Sequence, residues 1–343
     1  MLRFFAFLST TALFSSLLFS CSDVKPALVN NDSKSLSVMF YNVENLFDTS
    51  DDPAINDDEF TPGSEKAWTK ERYNQKLVNI GKVIRACDTF MPDVIGLCEI
   101  ENLQVLKDLV ASENFKGTNY SILHADSPDD RGIDVAILYN PSRVKLEVVE
   151  LIKSTLPSGD RPNTRLVMHA AGEVGGQPLH VYVNHWPSRS GGQMESEPNR
   201  LTVANNVKNS VESVLMLDRN AQILLMGDFN DYPNDKSVRD VLMAKNANEG
   251  MLTNLMWMMS KNGEGSYSYK GEWGCLDQFM VSKALTDGQG VDVVQNSVKI
   301  IKHDWMMYTN DKGVTTPNRT YGGNNYYGGY SDHLPIFLKL QIP

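Results

Sequence analysis

Cysteine is scarce in this sequence, which excludes a network of disulfide bonds as the basis of the fold. There are four cysteines among 343 residues, and their spacing matches no metal-binding motif. Cys21 is assigned below to the N-terminal segment, so an odd number remains. Cys87 falls in a helical pattern and Cys98 in an apolar run, and both are expected in the core. The chain therefore has to bury a hydrophobic core of its own, and about 300 residues suffice for that.

Positive charge is also in short supply. Lys and Arg total 32 against 42 Asp and Glu, which gives a formal net charge of −10 and a pI near 5.1. Proteins that hold nucleic acid by bulk electrostatics usually neutralise many phosphates, so this balance argues against that class. It leaves open an enzyme that meets phosphate at a metal ion. Hydrophobic residues at 41% and charged residues at 22% exclude a chain that is mainly disordered.

The N-terminus carries an apolar run, residues 4–20, preceded by Arg3. One positive charge, a short apolar segment and a small residue at its end are typical of a secretory signal. The run is marginal for spanning a bilayer, which takes about 20 apolar residues. Cys21 follows directly and resembles the cysteine of a bacterial lipobox, so we expect residues 1–20 to be a signal peptide and Cys21 to carry a lipid anchor. An ordinary signal peptide and an uncleaved anchor are the alternatives.

The rest of the chain divides into a tether and one domain. Residues 21–35 are polar and predict a flexible tether, and residues 36–343 predict a single large domain without internal repeats. The lipid would attach the protein to a membrane of the bacterial cell envelope, at the outer membrane or on the periplasmic face. The sequence implies no obligate protein partner, and we expect a monomer.

Strands and helices alternate irregularly along this domain. Apolar runs bounded by Asn, Asp, Gly or Pro predict buried strands at 36–41, 93–98, 135–139, 179–183, 223–226, 278–281 and 336–340. Further strands are predicted at 144–152 and 164–170, and helical periodicity predicts helices at 73–86, 103–110 and 198–217. Strands outnumber helices, and their connections are too irregular for a pure βαβ repeat. This pattern favours an α/β domain of two packed sheets with helices outside.

Polar residues follow the apolar runs abruptly at six places. The side chains concerned are Asn42, Glu44, Glu99, His185, Asp228, Asn230, Asp277, Asp332 and His333. If their strands share one sandwich, the six junctions converge on one rim. The sequence has neither a nucleophilic Ser or Cys motif nor a phosphate-binding Gly-rich loop before a helix. What remains is a site of hard oxygen ligands with two histidines, suited to magnesium or calcium and to acid–base chemistry on phosphate.

In this order, the six junctions resemble those of the endonuclease/exonuclease/phosphatase superfamily, which is also called the DNase I-like fold. The similarity extends from about Val38 to Leu338, and the motifs 227–230 and 331–335 are specific when found together. The resemblance implies a four-layer α/β sandwich whose active site lies between the upper ends of its two sheets. It makes 36–343 a catalytic domain that hydrolyses phosphodiesters or phosphomonoesters with a divalent metal. Mg²⁺ is expected first, with Ca²⁺ or Mn²⁺ as alternatives.

The resemblance assigns four residues to the metal. Glu99 matches the metal-binding glutamate of the family, and Asn42 with Glu44 matches its first motif. Alternation along a strand puts Asn42 and Glu44 on one face. With a slight bend of the strand, Glu44 would contact the other ligands instead of the metal. Asp332 is expected to bind a second metal or to orient its neighbours.

The remaining junction residues receive catalytic roles by the same resemblance. Asp228 orients or deprotonates the attacking water, and Asn230 donates to a non-bridging phosphate oxygen. His333 binds the phosphate or helps activate water, with Asp277 as its carboxylate partner. His185 protonates the leaving oxygen or binds the transition state.

Two arginines and one loop are candidates for substrate binding. Arg131 resembles a family arginine that reaches the substrate, and Arg189 is a possible phosphate clamp because a guanidinium can engage two oxygens. A surface salt bridge is the alternative for each. The tract 321–330 is rich in Tyr and Gly and leads into the motif with Asp332 and His333. Its tyrosines either stack on bases or sugars or pack on the sandwich.

Three functions compete at this point. The first is a metal-dependent phosphodiester hydrolase, a nuclease of the endonuclease type that cleaves DNA or RNA by in-line attack of an activated water. The second is a phosphatase or a sphingomyelinase-like phosphodiesterase that acts on a lipid or sugar phosphate. The third is a binding module that kept the fold without its chemistry. It is disfavoured because Glu99, His185, Asp228, Asn230 and His333 are all present.

Overall fold

A computed structural model describes residue 28 and residues 34–157, 162–247 and 249–343. Its helices are α1 (Lys70–Arg85), α2 (Leu103–Ala111), α3 (Gln193–Leu217) and α4 (Trp257–Lys261). The strands of the first half are β1 (Ser35–Leu46), β2 (Val94–Ile100), β3 (Ser121–His124), β4 (Asp134–Tyr139), β5 (Lys145–Ile152), β6 (Val167–Val174) and β7 (Gln177–His185). Those that follow are β8 (Ile223–Asp228), β9 (Ala244–Lys245), β10 (Leu252–Asn254), β11 (Tyr267–Tyr269), β12 (Glu272–Gly274), β13 (Asp277–Val281), β14 (Asp292–Val293), β15 (Lys299–Ile300), β16 (Met307–Thr309), β17 (Thr315–Pro317), β18 (Tyr321–Gly322), β19 (Asn325–Tyr326) and β20 (Ile336–Gln341). Short 3-10 helices lie at Asp58–Phe60, Glu113–Phe115, Lys283–Leu285 and Asp304–Met306, and a π-helical turn at Ser237–Val241.

Two mixed sheets organise these strands. Sheet A has the order β14-β20-β1-β2-β4-β3, with β15 also paired to β20, and sheet B has the order β5-β6-β7-β8-β13-β10-β9. Sheet A contains one parallel pair, β1 with β2, and sheet B contains two, β7 with β8 and β9 with β10. The pairs that matter for the polar junctions are β1 with β2 and β7 with β8. These four strands end on the same side of the molecule as the starts of the antiparallel strands β13 and β20. The polar junctions therefore meet at one edge of the two sheets, which we call the catalytic rim.

The hydrophobic core shows how the layers stack. Along β1, Val38 and Phe40 point between the two sheets, where they pack with residues of β7 and β8. Met39 and Tyr41 point the other way and pack under α1 and α2. Helix α3 covers the outer face of sheet B, because the stripe with Val207 faces strands β7 and β8. The order is helix, sheet, sheet, helix, so the predicted four-layer α/β sandwich is confirmed.

Most sequence-predicted elements are confirmed, with shifted ends. The strand predicted at 164–170 is β6 (Val167–Val174), and the helix predicted to begin at Pro198 begins at Gln193. Pro198 lies inside this helix, and most of the helical residues before it are polar, so the apolar stripe does not reveal the first turn. The short strand β3 and the small ribbons between residues 267 and 326 were missed because each is too brief to show a period.

The predicted leader lies mostly outside the described residues. Neither the signal peptide at 1–20 nor Cys21 is described, and the same holds for residues 22–27 and 29–33 of the tether. These assignments stay predictions. In the part of the chain that the structure describes, no helix is both long enough and apolar enough to cross a bilayer.

Candidate active site

The catalytic rim gathers the predicted polar side chains in one place. Asn42 and Glu99 come from the ends of β1 and β2 in sheet A, and His185 and Asp228 from the ends of β7 and β8 in sheet B. His333 precedes β20 and lies opposite them. Asp228 Oδ2 is 3.1 Å from Asn42 Nδ2, 3.8 Å from His333 Nε2 and 3.9 Å from His185 Nε2. Residues 186 positions apart in the sequence thus share one small polar site.

The backbone is unusual at three of the junctions. Glu44, Asn45, Glu99 and Asn230 all have positive φ angles, between 50° and 63°. The pairing register shifts between Asn42 and Leu46 in β1 and between Cys98 and Ile100 in β2. Non-glycine residues adopt this conformation at a cost, and such residues cluster at functional sites. Bulges of this kind re-aim side chains beside active sites, and here they turn the carboxylate of Glu99 toward the rim.

One side of the site is a set of hard oxygen ligands. Asn42 Nδ2 donates to Glu99 Oε1 at 3.3 Å, and the backbone N–H of Asn45 donates to Glu99 Oε2 at 2.9 Å. Glu99 keeps 16% of its side chain exposed, whereas Asn42 and Asp228 are buried. Carboxylate and amide oxygens on a partly open site are the donors that Mg²⁺ and Ca²⁺ accept in proteins. The carboxylate of Glu99 therefore fits the divalent cation that the sequence implies. Asn42 presents its Nδ2 to Glu99 and Asp228, and its Oδ1 accepts the backbone N–H of Glu44 at 3.0 Å.

Asp228 is held from both of its oxygens. Its Oδ1 accepts the backbone N–H of Asn230 at 2.9 Å, and its Oδ2 accepts Asn42 Nδ2. Burial raises the pKa of Asp228 to about 6, and the nearby Asp277 adds to the rise while His333 and the hydrogen bonds oppose it. The carboxylate is thus fixed in orientation and titrates close to neutrality, as a general base requires.

His185 and His333 differ in their charge states near neutral pH. Burial, followed by Arg165 and Arg131, lowers the pKa of His185 well below its ordinary value. Burial also acts to lower the pKa of His333, but Asp277 and Asp228 outweigh it, and the pKa lies well above the ordinary value. His333 Nδ1 lies 2.7 Å from Asp277 Oδ2. Near pH 7 the site therefore combines one charged and one neutral imidazole.

Asp277 and Tyr267 hold the ring of His333 in place. Asp277 Oδ2 also accepts Ser266 Oγ at 2.5 Å, and the ring of Tyr267 lies 4.8 Å from that of His333. The predicted pairing of His333 with Asp277 is present in the structure. Sequence reasoning did not identify Ser266 or Tyr267, which reach the site through the isolated bridge between Tyr267 and His333.

Glu44 and Asp332 lie beside the oxygen ligands and are engaged elsewhere. Glu44 Oε2 accepts the backbone N–H of Thr320 at 2.6 Å, and its Oε1 accepts Arg319 Nε at 3.3 Å. Asp332 Oδ2 accepts Arg319 Nη2 at 3.0 Å. Burial and the proximity of Glu44 raise the pKa of Asp332 to about 7, against the opposing effects of His333 and Arg319. The structure thus places both predicted metal residues around one arginine that the sequence did not single out.

Asn230 and Arg189 are hydrogen-bonded to each other and to neighbouring residues. Asn230 Nδ2 donates to the carbonyl of Trp186 at 3.0 Å, and the Asn230 carbonyl accepts Arg189 Nε at 2.8 Å. Arg189 Nη2 also contacts Asp231 at 3.2 Å and Asp235 at 2.6 Å. These contacts favour the ion-pair alternative for Arg189. One N–H of Asn230 can still serve a phosphate oxygen.

Arg131 is the more open of the two predicted arginines. Its Nε is 3.5 Å from Asp129, and 41% of its side chain is exposed. Asp129 is shared with Arg165, a buried arginine that also donates to the carbonyl of Trp186. Arg165 was missed because nothing in its surrounding sequence marks it. Together the two guanidinium groups make the His185 side of the rim electropositive.

The Tyr/Gly tract at 321–330 is largely packed against the domain. Tyr321 is 7% exposed and lies against Trp68 at 5.9 Å, and Tyr326 contacts Tyr321 at 5.3 Å. Tyr330 packs on Trp305 at 4.8 Å. Only Tyr327 among the four is strongly exposed, at 60%. The structure therefore favours packing on the sandwich over stacking on substrate, which were the two alternatives left open.

Two groups of side chains in the described part of the chain could hold a metal by distance alone. One is Asp228, Asp277 and His333, and the other is His124, Asp126 and Asp134. In the first group His333 and Asp277 are already bonded to each other, which fits an acid–base pair better than a ligand set. In the second, Asp134 accepts from His124 and from the backbone of Ser127.

Comparison with known proteins agrees with this geometry. A family model described as Endonuclease/Exonuclease/phosphatase family matches residues 37–342. No curated protein matches the chain by sequence. The solved structure of D. rerio TDP2 complexed with single strand DNA product is 16% identical with a TM-score of 0.53, and the match covers 89% of this chain and 98% of that one.

Two further solved structures match over similar lengths. A mannosyl-6-phosphatase of Bacteroides thetaiotaomicron VPI-5482 is 18% identical with a TM-score of 0.52, over 89% of this chain and 99% of that one. The human Nocturnin catalytic domain with bound sulfate anion is 14% identical with a TM-score of 0.52, over 92% of this chain and 96% of that one. At these identities the likeness establishes the fold, which is the DNase I-like sandwich.

Proposed function

The chain belongs to the endonuclease/exonuclease/phosphatase family, which makes it a hydrolase of phosphoester bonds, and from this premise we propose that it is a metal-dependent phosphodiesterase acting on nucleic acid. The observation that carries the proposal is the convergence on Asp228. Its carboxylate lies within 4 Å of Asn42, His185 and His333, a combination of base, amide and two imidazoles that suits in-line hydrolysis.

The proposed mechanism assigns each group by its charge and its contacts. Glu99 would hold the divalent cation, and Asn42, whose Nδ2 donates to both Glu99 and Asp228, would orient the two carboxylates. When bound, such an ion polarises a phosphoryl oxygen and stabilises the negative charge that develops in the transition state. Asp228, fixed from both oxygens, orients the attacking water and accepts its proton. The second N–H of the Asn230 amide donates to a non-bridging oxygen.

The two imidazoles then act differently from each other. His333 is held in its charged form by Asp277, so it is the better proton donor to the leaving oxygen. His185 is neutral, so it carries one N–H and has no acidic proton to transfer. With that hydrogen on Nε2, it donates a hydrogen bond to the phosphate. Of the two roles considered for His185, we therefore propose binding of the transition state rather than protonation of the leaving oxygen.

Nucleic acid is the proposed substrate for two reasons. Arg131 presents an exposed guanidinium on the His185 side, where a neighbouring phosphate of a strand would lie. D. rerio TDP2, which shares the fold, was solved with a single strand DNA product. With a net charge of −10 and few free cations at the rim, we expect modest affinity and recognition close to the scissile phosphate.

A sugar phosphate is the second candidate, and one feature favours it. A recess of about 130 Å³ lies beside Glu44, lined by Lys66, Trp68, Arg319 and Tyr321 among others. That volume accommodates a single ring rather than a duplex. The mannosyl-6-phosphatase of B. thetaiotaomicron has the same fold. In this case the enzyme would release phosphate from a monoester.

A substrate panel separates the two candidates. Single-stranded DNA, RNA, bis(p-nitrophenyl) phosphate, p-nitrophenyl phosphate and mannose 6-phosphate are each incubated with Mg²⁺, Mn²⁺, Ca²⁺ or EDTA. The proposal predicts cleavage of an oligonucleotide and of the diester, both abolished by EDTA. Release of phosphate from the monoesters alone would replace the nuclease with a phosphatase. Cleavage that persists in EDTA would remove the metal from the mechanism.

We propose a location as well, supported by the sequence of the N-terminus. Cys21 directly after the apolar run implies a lipid anchor in the bacterial cell envelope. The described domain begins near Lys34 at the side of the molecule opposite the catalytic rim, since β1 runs from there toward the rim. An anchored enzyme would thus hold its active site away from the membrane.

A further inference from the structure

Arg319 bridges two carboxylates next to the metal ligands. Its Nε lies 3.3 Å from Glu44 Oε1 and its Nη2 lies 3.0 Å from Asp332 Oδ2. Glu44 is 5% exposed and Asp332 22% exposed, while Arg319 keeps 45% of its side chain exposed. A planar guanidinium can serve two carboxylates at once with fixed geometry. The arginine therefore occupies the space where these two acids face each other.

The remaining hydrogen-bonding capacity of Glu44 is also used. Its Oε2 accepts the backbone N–H of Thr320 at 2.6 Å, and its Oε1 accepts the backbone N–H of Tyr321 at 3.3 Å. The ammonium of Lys76, which is buried, lies 4.0 Å from Oε2. The charge of Glu44 is thus balanced by the protein itself, and the carboxylate is committed to the segment that carries Arg319.

Glu99 is different in each of these respects. It faces the rim with 16% of its side chain exposed. Its hydrogen bonds come from the amide of Asn42 and the backbone of Asn45. The imidazole of His185 lies 3.9 Å from its Oε1. Of the carboxylates assigned to metal binding, Glu99 is the one that is not already paired with an arginine or a lysine.

We propose that Arg319 takes the place and the charge of a second divalent cation, so that this active site operates with one metal ion, held on the Glu99 side. Two-metal phosphoesterases hold their ions about 3.5–4 Å apart, each with its own acidic ligands. Here the additional acids are Glu44 and Asp332, and both already share a tethered cation. The inference rests on the proposed metal-dependent function and specifies how many ions that function uses.

The test is the number of Mn²⁺ ions that the protein binds, measured by titration calorimetry and by the EPR signal of bound Mn²⁺. The wild-type chain is expected to bind one ion, with the spectrum of an isolated Mn²⁺. Glu99→Gln is expected to lose that ion. Arg319→Met is expected to bind a second Mn²⁺, because Glu44 and Asp332 are freed, and adding Glu44→Gln to it should return the stoichiometry to one.

A conservative variant guards against misfolding. Arg319→Lys retains the charge and should bind one ion, and the circular dichroism of each variant shows whether the sandwich is intact. If Arg319→Met does not fold, the stoichiometry of the wild type still tests the proposal, because two bound ions would overturn it. Arg319→Lys and Glu44→Gln should each keep the single ion at Glu99.

The alternative outcomes point to different failures. Two Mn²⁺ ions in the wild-type chain, one of them lost in Glu44→Gln, would overturn the role of Arg319 and leave the metal-dependent function standing. A folded Arg319→Met variant that still binds one ion would also contradict it. A wild-type chain that binds none at millimolar Mn²⁺ would instead contradict the proposed function.

Discussion

Asp228 is the residue on which the proposed chemistry depends, and its surroundings set the pH at which it acts. Its carboxylate is 2% exposed and accepts hydrogen bonds from Asn42 and from the backbone of Asn230. Burial disfavours the charged form, whereas His333 and the hydrogen bonds favour it, and the resulting pKa is about 6. The residue is ionised above that pH and able to take a proton from water.

The first prediction is a loss of activity at acidic pH. Because the deprotonated form of Asp228 is the active one, kcat/KM should fall as the pH drops below about 6, by about tenfold per pH unit. Asp228→Asn should lower kcat by about 10²–10⁴-fold at every pH. The measurement is a pH–rate profile at fixed, saturating Mg²⁺. Asp126→Asn, at an aspartate that is 89% exposed, is the control and should behave as wild type. A flat profile between pH 5 and 7 would contradict the role of Asp228.

The residues of the rim show what a sequence can and cannot reveal. Asn42, Glu99, His185, Asp228, Asp277 and His333 follow strands, and their convergence was predicted from that position alone. The role of Arg319 was not, because its partner Glu44 lies 275 positions away and no local pattern marks it. The left-handed conformations of Glu99 and Asn230 were equally hidden, because Glu rarely adopts a positive φ and Asn adopts it in only a minority of cases.

Helix α1 connects the outer layer to the segment that carries the catalytic histidine. Its apolar stripe, with Leu77 and Ile80, was predicted from the 3.6-residue period and is buried. Lys76 and Asn79 are also buried, at 1% and 6% exposure, although their polarity would predict a solvated face. Lys76 Nζ donates to Thr320 Oγ1 at 2.6 Å and to the carbonyl of Tyr330 at 2.9 Å. The helix thus fixes the tract 321–330 at both ends.

The second prediction concerns Asn79. Its Nδ2 donates to the carbonyls of Gly328 at 3.1 Å and Gly329 at 2.7 Å. Asn79→Ala leaves two carbonyls without this donor, so it should cost about 1–3 kcal/mol of stability and lower kcat by loosening the approach to His333. Urea unfolding and steady-state kinetics measure both. Asn74→Ala, at an exposed position of the same helix, should change neither. Equal behaviour of the two variants would show that the helix does not position the tract.

Strands β6 and β7 carry a pair of histidines that responds to acid, the buried His169 and the half-buried His180. His169 Nε2 lies 2.9 Å from His180 Nδ1, and His169 stacks on Tyr182 with ring centroids 4.0 Å apart. Burial, followed by the charge of His180, lowers the pKa of His169 to about 4. Burial also lowers the pKa of His180. Both rings are therefore neutral in the folded protein at pH 7.

The third prediction is a pH-dependent stability that originates in this pair. The unfolded chain protonates His169 near pH 6.5 and the folded chain only near 4, so the stabilisation is complete above 6.5 and declines as the pH falls toward 4. His169→Phe, which retains the stack on Tyr182, should remove part of that decline, up to about 1.4 kcal/mol per pH unit. Urea unfolding of both proteins at pH 7 and pH 5 measures the difference. An identical loss of stability in both would rule the pair out.

At the scale of the whole molecule, the order of the layers could be predicted from the sequence. The small ribbons and the ion pairs at the ends of the sheets could not. The long apolar runs form the central strands of sheets A and B, because only a central strand is buried on both of its faces. The small ribbons around residues 267–326 are specified by contacts with distant segments, such as Tyr267 with His333. Arg189 likewise contacts Asp231 and Asp235, and only the folded structure brings that ion-pair group together.

The fourth prediction tests the division of the chain into leader and enzyme. The full chain expressed in a bacterium with lipoprotein export should partition into the detergent phase of Triton X-114, because Cys21 is expected to be lipidated. Cys21→Ser should move it to the aqueous phase and leave the specific activity unchanged. A wild-type protein that stays in the aqueous phase would refute the lipid anchor and leave the catalytic domain unaffected.

The most direct test of a metal-dependent hydrolase compares two glutamates at the end of the same strand. Glu99 faces the rim, whereas Glu101 is buried away from it, accepts the backbone N–H of Asp48, and has a pKa that burial raises to about 8. The measurement is the Mg²⁺-dependent hydrolysis of bis(p-nitrophenyl) phosphate by wild type, Glu99→Gln and Glu101→Gln. We predict that Glu99→Gln lowers kcat/KM by at least about 10²-fold, whereas Glu101→Gln retains wild-type activity. Full activity in Glu99→Gln, or wild-type activity that persists in EDTA, would contradict a metal-dependent hydrolase at this rim.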